Sequence, residues 1–153
     1  MSVTRFTAAF LTAAAFAFCL SGRSAASDTG AVTAVFDRAI AAFNAGNMNG
    51  WVATCSSAVS IVDEVPPHSW QSCADWWSSY QSFAKTNHVT AGAVTIGRPT
   101  NVQLTGNTAY VVWPATFTYR QSGKPQREAG IFTVAFTKAA GAWLMSGWTW
   151  TKR

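Results

Sequence analysis

The chain has 153 residues and a formal net charge of +5, from 11 Lys or Arg against six Asp or Glu. This length fits a single domain. The basic side chains are scattered, apart from three near one predicted turn (Arg120, Lys124 and Arg127), so we expect no nucleic-acid partner. Two His residues without a suitable Cys or carboxylate cluster argue against a metal site. The glycines form no phosphate-binding loop, and we expect no cofactor.

The N-terminus has the pattern of a secretory signal peptide. Residues 6–20 form an apolar run of about 15 residues behind one positive charge, and Ser24-Ala25-Ala26 supplies the small residues that a signal peptidase requires. We predict cleavage near Ala26, which leaves residues 27–153 as one exported domain, periplasmic or secreted. A retained anchor is the alternative, and a lipoprotein at Cys19 is disfavoured by the preceding Phe18. No later run is long enough to span a membrane.

Export changes the interpretation of Cys55 and Cys73. In an oxidising compartment two thiols tend to pair. A bridge between them would close a loop of about 18 residues and stabilise the domain by roughly 3 kcal/mol. The alternative is a pair of buried free thiols that pack as small hydrophobic groups, and the sequence leaves both open.

Three helices are predicted in the first half of the domain. Apolar residues at helical spacing predict the first helix from Ala31 to Phe43, ended by Asn44-Ala45-Gly46. Asn47 can cap a second helix that runs to about residue 54, and Ser72 can cap a third that runs to about residue 87.

Strands occupy the rest of the domain. The first is predicted at residues 58–63, where Pro66-Pro67 stops the extended segment. Five more follow, separated by Gly-containing turns in the later part, at residues 93–96, 102–104, 109–119, 129–136 and 143–150. Alternation gives the sheet one strongly apolar face, which the helices must cover. We therefore predict an α+β fold with three N-terminal helices on a strongly curved, mostly antiparallel sheet.

This arrangement resembles the nuclear transport factor 2-like superfamily and, within it, the SnoaL-like branch, which has a cystatin-like cone fold. The resemblance covers about residues 29–150. Its most telling segments are Phe43-Asn44-Ala45-Gly46-Asn47-Met48-Asn49-Gly50-Trp51, Ile61-Val62-Asp63-Glu64-Val65-Pro66-Pro67-His68-Ser69-Trp70 and Gly147-Trp148-Thr149-Trp150. It implies an open pocket between the helices and the concave face of the sheet.

Asp63 is the first candidate for chemistry in that pocket. The steroid isomerase branch places its catalytic base at this position, but its oxyanion-hole donors fall on Ala39 and Phe132, so the resemblance does not imply ketosteroid isomerase activity. Independently of the resemblance, a carboxylate in an apolar cavity loses solvation, which should raise its pKa toward a useful range. The alternative is an Asp that only organises the Pro-Pro turn.

His68 is the second candidate, since it could form an acid–base pair with Asp63 as in dehydratase members of the superfamily; otherwise it is an exposed loop residue. Glu64 should point to the opposite face from Asp63, because extended side chains alternate. Aromatic side chains could line the pocket, and the predicted set is Trp70, Trp76, Tyr80, Trp113, Tyr119, Trp148 and Trp150.

Three functions remain open at this point. The first is an exported SnoaL-like domain that binds a small apolar or aromatic molecule, which needs a pocket of roughly 300 Å³ or more. The second is a small acid–base enzyme, an isomerase, cyclase or dehydratase, that uses Asp63. The third is a non-catalytic domain that fills its own cavity and acts as a homodimer through its sheet.

Overall fold

The computed structural model describes the backbone of residues 20–153 and the side chains from residue 28 onward. The predicted signal peptide, residues 1–26, falls outside the part with described side chains, and its cleavage stays a prediction. Over the described residues, three helices and seven strands follow one another as α1 (Leu20–Asn44), α2 (Met48–Val52), β1 (Cys55–Val62), β2 (Ser69–Trp70), α3 (Cys73–Thr86), β3 (Val89–Ile96), β4 (Asn101–Thr105), β5 (Thr108–Gln121), β6 (Lys124–Ala139) and β7 (Ala142–Lys152).

The helix boundaries follow from local chemistry. Gly46, at a φ of +65°, lets the chain turn after α1. The Asn47 side chain then accepts a hydrogen bond from the backbone N–H of Gly50 at 2.9 Å and starts α2. Ser72 caps α3 in the same way by accepting from the N–H of Asp75 at 3.3 Å. Both predicted caps are confirmed.

The strands form one curved, unclosed sheet with the order β2-β1-β7-β6-β5-β3. β3 and β4 share one edge of β5: β3 pairs with its residues 115–121 and β4 with its residues 108–112. Every pairing is antiparallel except that of β1 with β7. The predicted fold class, α+β with three helices on a mostly antiparallel sheet, is therefore confirmed. β1 starts at Cys55, three residues earlier than expected, because α2 ends at Val52 rather than at residue 54.

The core lies between α1 and the concave face of the sheet. Alternate residues of the central strands β5 and β6 are buried there, as the sequence pattern predicts, and they are Val111, Trp113, Ala115, Phe132, Val134 and Phe136. From α1, Phe36 packs on Trp113 with ring centroids 4.4 Å apart. Buried side chains of this size contribute about 1.5–3 kcal/mol each.

A disulfide joins the sheet to α3. Cys55 begins β1 and Cys73 begins α3, and their sulfur atoms are bonded, with the Cα atoms 6.5 Å apart. The bond fixes the start of the helix that carries Trp76 and Tyr80 against the strand that leads to Asp63. None of the described helices is both long and apolar enough to cross a membrane.

Candidate functional site

A cavity of about 240 Å³ lies between the helices and the concave face of the sheet. This is below the roughly 300 Å³ that we expected small-molecule binding to need, so the cavity has room for only a small ligand. Ten of its 18 lining side chains are aromatic, so the wall is mostly apolar. Its polar groups are few, and each of them has a definite position.

Asp63 follows directly after the last residue of β1 and lines the cavity with only 9% of its surface exposed. Its Oδ2 accepts a hydrogen bond from the indole N–H of Trp76 at 2.7 Å, and its Oδ1 accepts one from the backbone N–H of Glu64 at 2.6 Å. Burial raises the pKa of Asp63, and these hydrogen bonds offset that rise only in part. The expected rise in pKa at this position therefore has a structural cause.

Tyr80 lies next to this carboxyl group. Its ring stacks on Trp76 with centroids 5.7 Å apart. Burial, with the charge of Asp63, raises the pKa of Tyr80 to about 12. The hydroxyl therefore keeps its proton near neutral pH, and it has no hydrogen-bond partner among the described residues. It is available as a donor to a molecule in the cavity.

Two buried tryptophans on the cavity wall lack a hydrogen-bond partner within the described part of the chain. Trp51 and Trp148 are each only 2% exposed, and the indole N–H of each is unpaired. Leaving a buried donor unpaired costs about 1–3 kcal/mol. The nitrogen atoms themselves are enclosed, so an acceptor in the cavity would recover that cost only after an indole shifts to meet it.

At the more exposed side of the cavity, polar residues of β5, β6 and β7 form the mouth. The hydroxyl of Tyr119 donates to Glu128 Oε1 at 2.8 Å, and the Lys152 ammonium lies 2.5 Å from the same oxygen. Although burial raises the pKa of Glu128, its bonds to Lys152 and Tyr119 hold the pKa below its usual value. Glu64 has the opposite shift, since burial and repulsion from Glu128 and Asp63 raise its pKa.

Trp150 closes one side of the mouth, and Gly130 makes its position possible. A Cβ atom at residue 130 would overlap the six-membered part of the Trp150 indole. The indole therefore lies directly against bare backbone of β6.

Four expectations about the site were wrong. Glu64 does not point away from Asp63, because β1 ends at Val62 and alternation does not continue past a strand end. His68 does not line the cavity. It is exposed on the turn, and its Nδ1 lies 3.3 Å from the backbone carbonyl oxygen of Asp63 rather than from its carboxyl group. The alternative, an exposed loop histidine, is what the structure shows.

Two predicted aromatic residues also lie outside the cavity. Trp70 donates its N–H to the Ser79 hydroxyl at 2.9 Å, which joins β2 to α3. Trp113 packs between Phe36 and Phe136 in the core, because α1 fills the space above that part of β5. The remaining predicted members, which do line the cavity, are Trp76, Tyr80, Tyr119, Trp148 and Trp150.

Sequence reasoning missed Trp51, Glu64 and Glu128 as lining residues. For Glu128 a signal existed, because it has the same parity in its strand as Phe132 and so faces the same side of the sheet. Phe132 lines the cavity and Ala39 is completely buried. Neither can donate a hydrogen bond, so the oxyanion-hole positions of the steroid isomerase branch are apolar here. Within the described residues, no group of three or more potential metal ligands occurs.

No protein-family model matches the chain, and no curated protein matches it. Solved structures do match. The hexachlorocyclohexane dehydrochlorinase LinA-type3 from Novosphingobium barchaimii LL02 has a TM-score of 0.77 at 6% identity, over 87% of this chain and 91% of that one. A nuclear transport factor 2-like superfamily protein from Salmonella enterica serovar Typhimurium LT2 has a TM-score of 0.72 at 12% identity, over 84% and 92%.

A ketosteroid isomerase-like protein from Erwinia carotovora atroseptica SCRI1043 has a TM-score of 0.66 at 20% identity, over 80% of this chain and 94% of that one. At such identities the likeness concerns the fold. None of these three structures is named SnoaL-like, so that branch stays a prediction. The chain has the cone fold of the nuclear transport factor 2-like superfamily, as its sequence predicts.

Proposed function

We propose that the domain binds a small apolar or aromatic molecule that carries a hydrogen-bond acceptor. The observation that carries this proposal is the pair of unpaired, buried indole N–H groups of Trp51 and Trp148 on the wall of an aromatic cavity. An apolar ligand would be held by the aromatic wall, and its acceptor would pair with an indole that shifts on binding. Because the N-terminal pattern predicts export, the ligand would be met in the periplasm or outside the cell.

The fold comparisons support a small-molecule role without naming the molecule. Two of the similar structures are named for reactions of small molecules, a hexachlorocyclohexane dehydrochlorinase and a ketosteroid isomerase-like protein. The open cavity argues against the third interpretation, in which the domain fills its own interior. Dimerisation through the sheet remains compatible with ligand binding.

The test compares tetralone with tetralin, which share one bicyclic aromatic skeleton and differ by a carbonyl oxygen. We expect the wild-type protein to bind tetralone about tenfold more tightly in calorimetry, as one hydrogen bond to an otherwise unpaired donor allows. Trp51→Phe with Trp148→Phe keeps both aromatic rings but removes both N–H groups, and it should abolish that preference. Trp143→Phe, a change outside the cavity, should leave the preference intact. Equal binding of both compounds to wild-type protein would refute the role of the indoles.

A second candidate function is acid–base catalysis by Asp63. The supporting observation is a buried carboxyl group of raised pKa that shares the cavity with Tyr80, whose hydroxyl stays protonated and could stabilise a developing oxyanion. Asp63 would remove a proton next to a carbonyl group and return it to another carbon atom.

This second function predicts hydrogen exchange. With tetralone in heavy water, wild-type protein should accelerate loss of the α-proton signal in NMR spectra, and Asp63→Asn should abolish the acceleration. Tyr80→Phe should reduce it while leaving tetralone binding within a few-fold of wild type. Binding without any exchange above the protein-free rate would leave a binding protein and exclude this chemistry for the carbonyl compound tested.

A further inference from the structure

The cavity is acidic although the chain as a whole is basic. Three of the six Asp or Glu residues line it (Asp63, Glu64 and Glu128), and no described Lys or Arg does. The formal charge of the chain is nevertheless +5. Half of the acids thus share one small cavity, whose charge is opposite to that of the chain.

Of these three acids, only Glu128 forms an ion pair with a described basic residue. Lys152 pairs with Glu128 at 2.5 Å from outside the cavity wall. For Asp63 and Glu64 the described residues contain no ion-pair partner, since the two ion pairs found there are Lys152–Glu128 and Lys138–Asp28. Asp63 is the buried one of the two. Burying a carboxylate without a cation is costly, and such a group either takes up a proton or acquires a cation.

The aromatic wall fits a cation as well as it fits an apolar group. Tyr119 and Trp150 stand beside the mouth acids, while Trp76, which donates its N–H to Asp63, is itself stacked on Trp51 and Tyr80. Ring faces of Trp and Tyr attract ammonium groups, most strongly where water is excluded. Carboxyl groups and ring faces therefore surround the same space.

We propose that the ligand is an apolar amine, bound in its protonated form with the ammonium group beside Asp63 and Glu64 and the apolar part against Trp51 and Trp148. This rests on the proposed binding function and names the chemical class of the ligand. The bound ammonium supplies the positive charge that the protein itself does not place there. The acceptor that pairs with an indole then lies on the apolar part of the same molecule.

The experiment measures the affinities of phenethylamine and phenethyl alcohol by calorimetry on the full chain at neutral pH. These probes have the same ring and chain and differ in an ammonium against a hydroxyl group. We expect the amine to bind about tenfold more tightly, as a charge-assisted hydrogen bond allows. Glu64→Gln should reduce that ratio severalfold, and Asp63→Asn with Glu64→Gln should abolish it. Asp37→Asn removes the same charge from an exposed position on α1 and should leave the ratio unchanged.

The outcomes separate the two proposals. Equal affinities of amine and alcohol would overturn the amine and leave the binding function standing. A ratio that persists in the double variant would also overturn it, since the preference would then arise elsewhere. If neither these probes nor tetralone bind, the binding function itself fails. Glu64 is exposed, so Glu64→Gln should fold. If Asp63→Asn proves too unstable to measure, the affinity ratio of Glu64→Gln alone still tests the proposal.

Discussion

At the scale of single residues, Asp63 shows how a strand end becomes a functional candidate. Its carboxyl group is buried, and both of its oxygens accept hydrogen bonds, one from Trp76 and one from the backbone of Glu64. An Asn at this position could accept at only one atom, because its amide nitrogen would face the other donor. The residue is therefore important for stability whether or not it takes part in chemistry.

This residue should make stability depend on pH. Because the pKa of Asp63 is raised in the folded state, the native protein binds more protons than the unfolded chain above the ordinary pKa of 3.8. Its contribution to the free energy of unfolding is therefore full below that value and is lost as pH rises through the raised pKa. Asp63→Asn should flatten the fall in stability that begins at about pH 4, as measured by urea unfolding.

Neighbouring groups define the control for this titration. Glu64 also has a raised pKa and titrates in the same direction, so Glu64→Gln and the double variant must be measured together with Asp63→Asn. Tyr80 keeps its proton throughout, with a pKa of about 12, and His68 faces Asp63 from the turn. An unchanged pH profile in the double variant would show that neither acid is responsible.

The sequence predicted Asp63 as a buried acid, since it ends a β-prone run before a Pro-Pro pair. It could not predict that Glu64 joins it, because alternation predicts side-chain direction only within a strand. It also could not show that the indoles of Trp51 and Trp148 lack partners. That property depends on which groups of distant elements meet, and a single sequence does not record it.

At the scale of elements, one amide side chain attaches α1 to the sheet. Asn44, the last residue of α1, donates from Nδ2 to the carbonyl of Val94 at 2.8 Å and accepts at Oδ1 from the N–H of the same residue at 2.7 Å. The side chain thus pairs with β3 as a short piece of backbone would. It orients the helix whose residues Ile40 and Phe43 line the cavity.

Replacing this amide should lower stability. Asn44→Asp keeps the shape and the acceptor but loses the donor, so the Val94 carbonyl loses its partner and the domain should lose about 1–3 kcal/mol. Urea unfolding near neutral pH would measure the change. Asn101→Asp, at the exposed start of β4, is a matched control and should change stability by less than about 0.5 kcal/mol. Equal losses would mean that added negative charge, rather than the missing bond, is responsible.

The elements themselves could largely be predicted. Helical spacing, the caps at Asn47 and Ser72, and glycine turns place α2, α3, the end of α1 and most strands within a few residues of their positions. The predicted start of α1 was wrong, since the helix begins at Leu20 rather than at Ala31. The strand ends were less predictable, since β6 extends to Lys124 through polar residues that alternation does not identify. Its pairing with β5 stabilises that extension, and pairing is a property of two segments.

At the scale of the whole molecule, the described Lys and Arg residues lie outside the cavity, whereas three of the six Asp and Glu residues line it. The alternation of apolar residues along the strands predicts the cone fold, because one apolar face of the sheet needs a cover and only the helices can supply it.

The pairing of the two cysteines could not be decided from the sequence, since the distance between Cys55 and Cys73 depends on how α3 returns to β1. The structure places them in bonding contact.

Removing this bond should weaken the whole domain. The disulfide closes a loop over a sequence separation of 18 residues, which is worth roughly 3 kcal/mol in the chain-entropy model. Cys55→Ser with Cys73→Ser should lower the free energy of unfolding by about that amount, measured in urea against oxidised wild type. Reducing agent should destabilise wild type to a similar extent and leave the double variant unaffected; a response of the double variant to reductant would contradict the assignment.

The contact between Gly130 and Trp150 gives the entrance an unusual means of adjustment. Gly130 does not line the cavity, yet a single methyl group there would overlap the indole and force it to move. The size of the molecules that enter the cavity could thus be changed by a substitution at a residue that does not contact the ligand. Gly130→Ala would therefore alter the entrance through Trp150 while every side chain that lines the cavity keeps its identity.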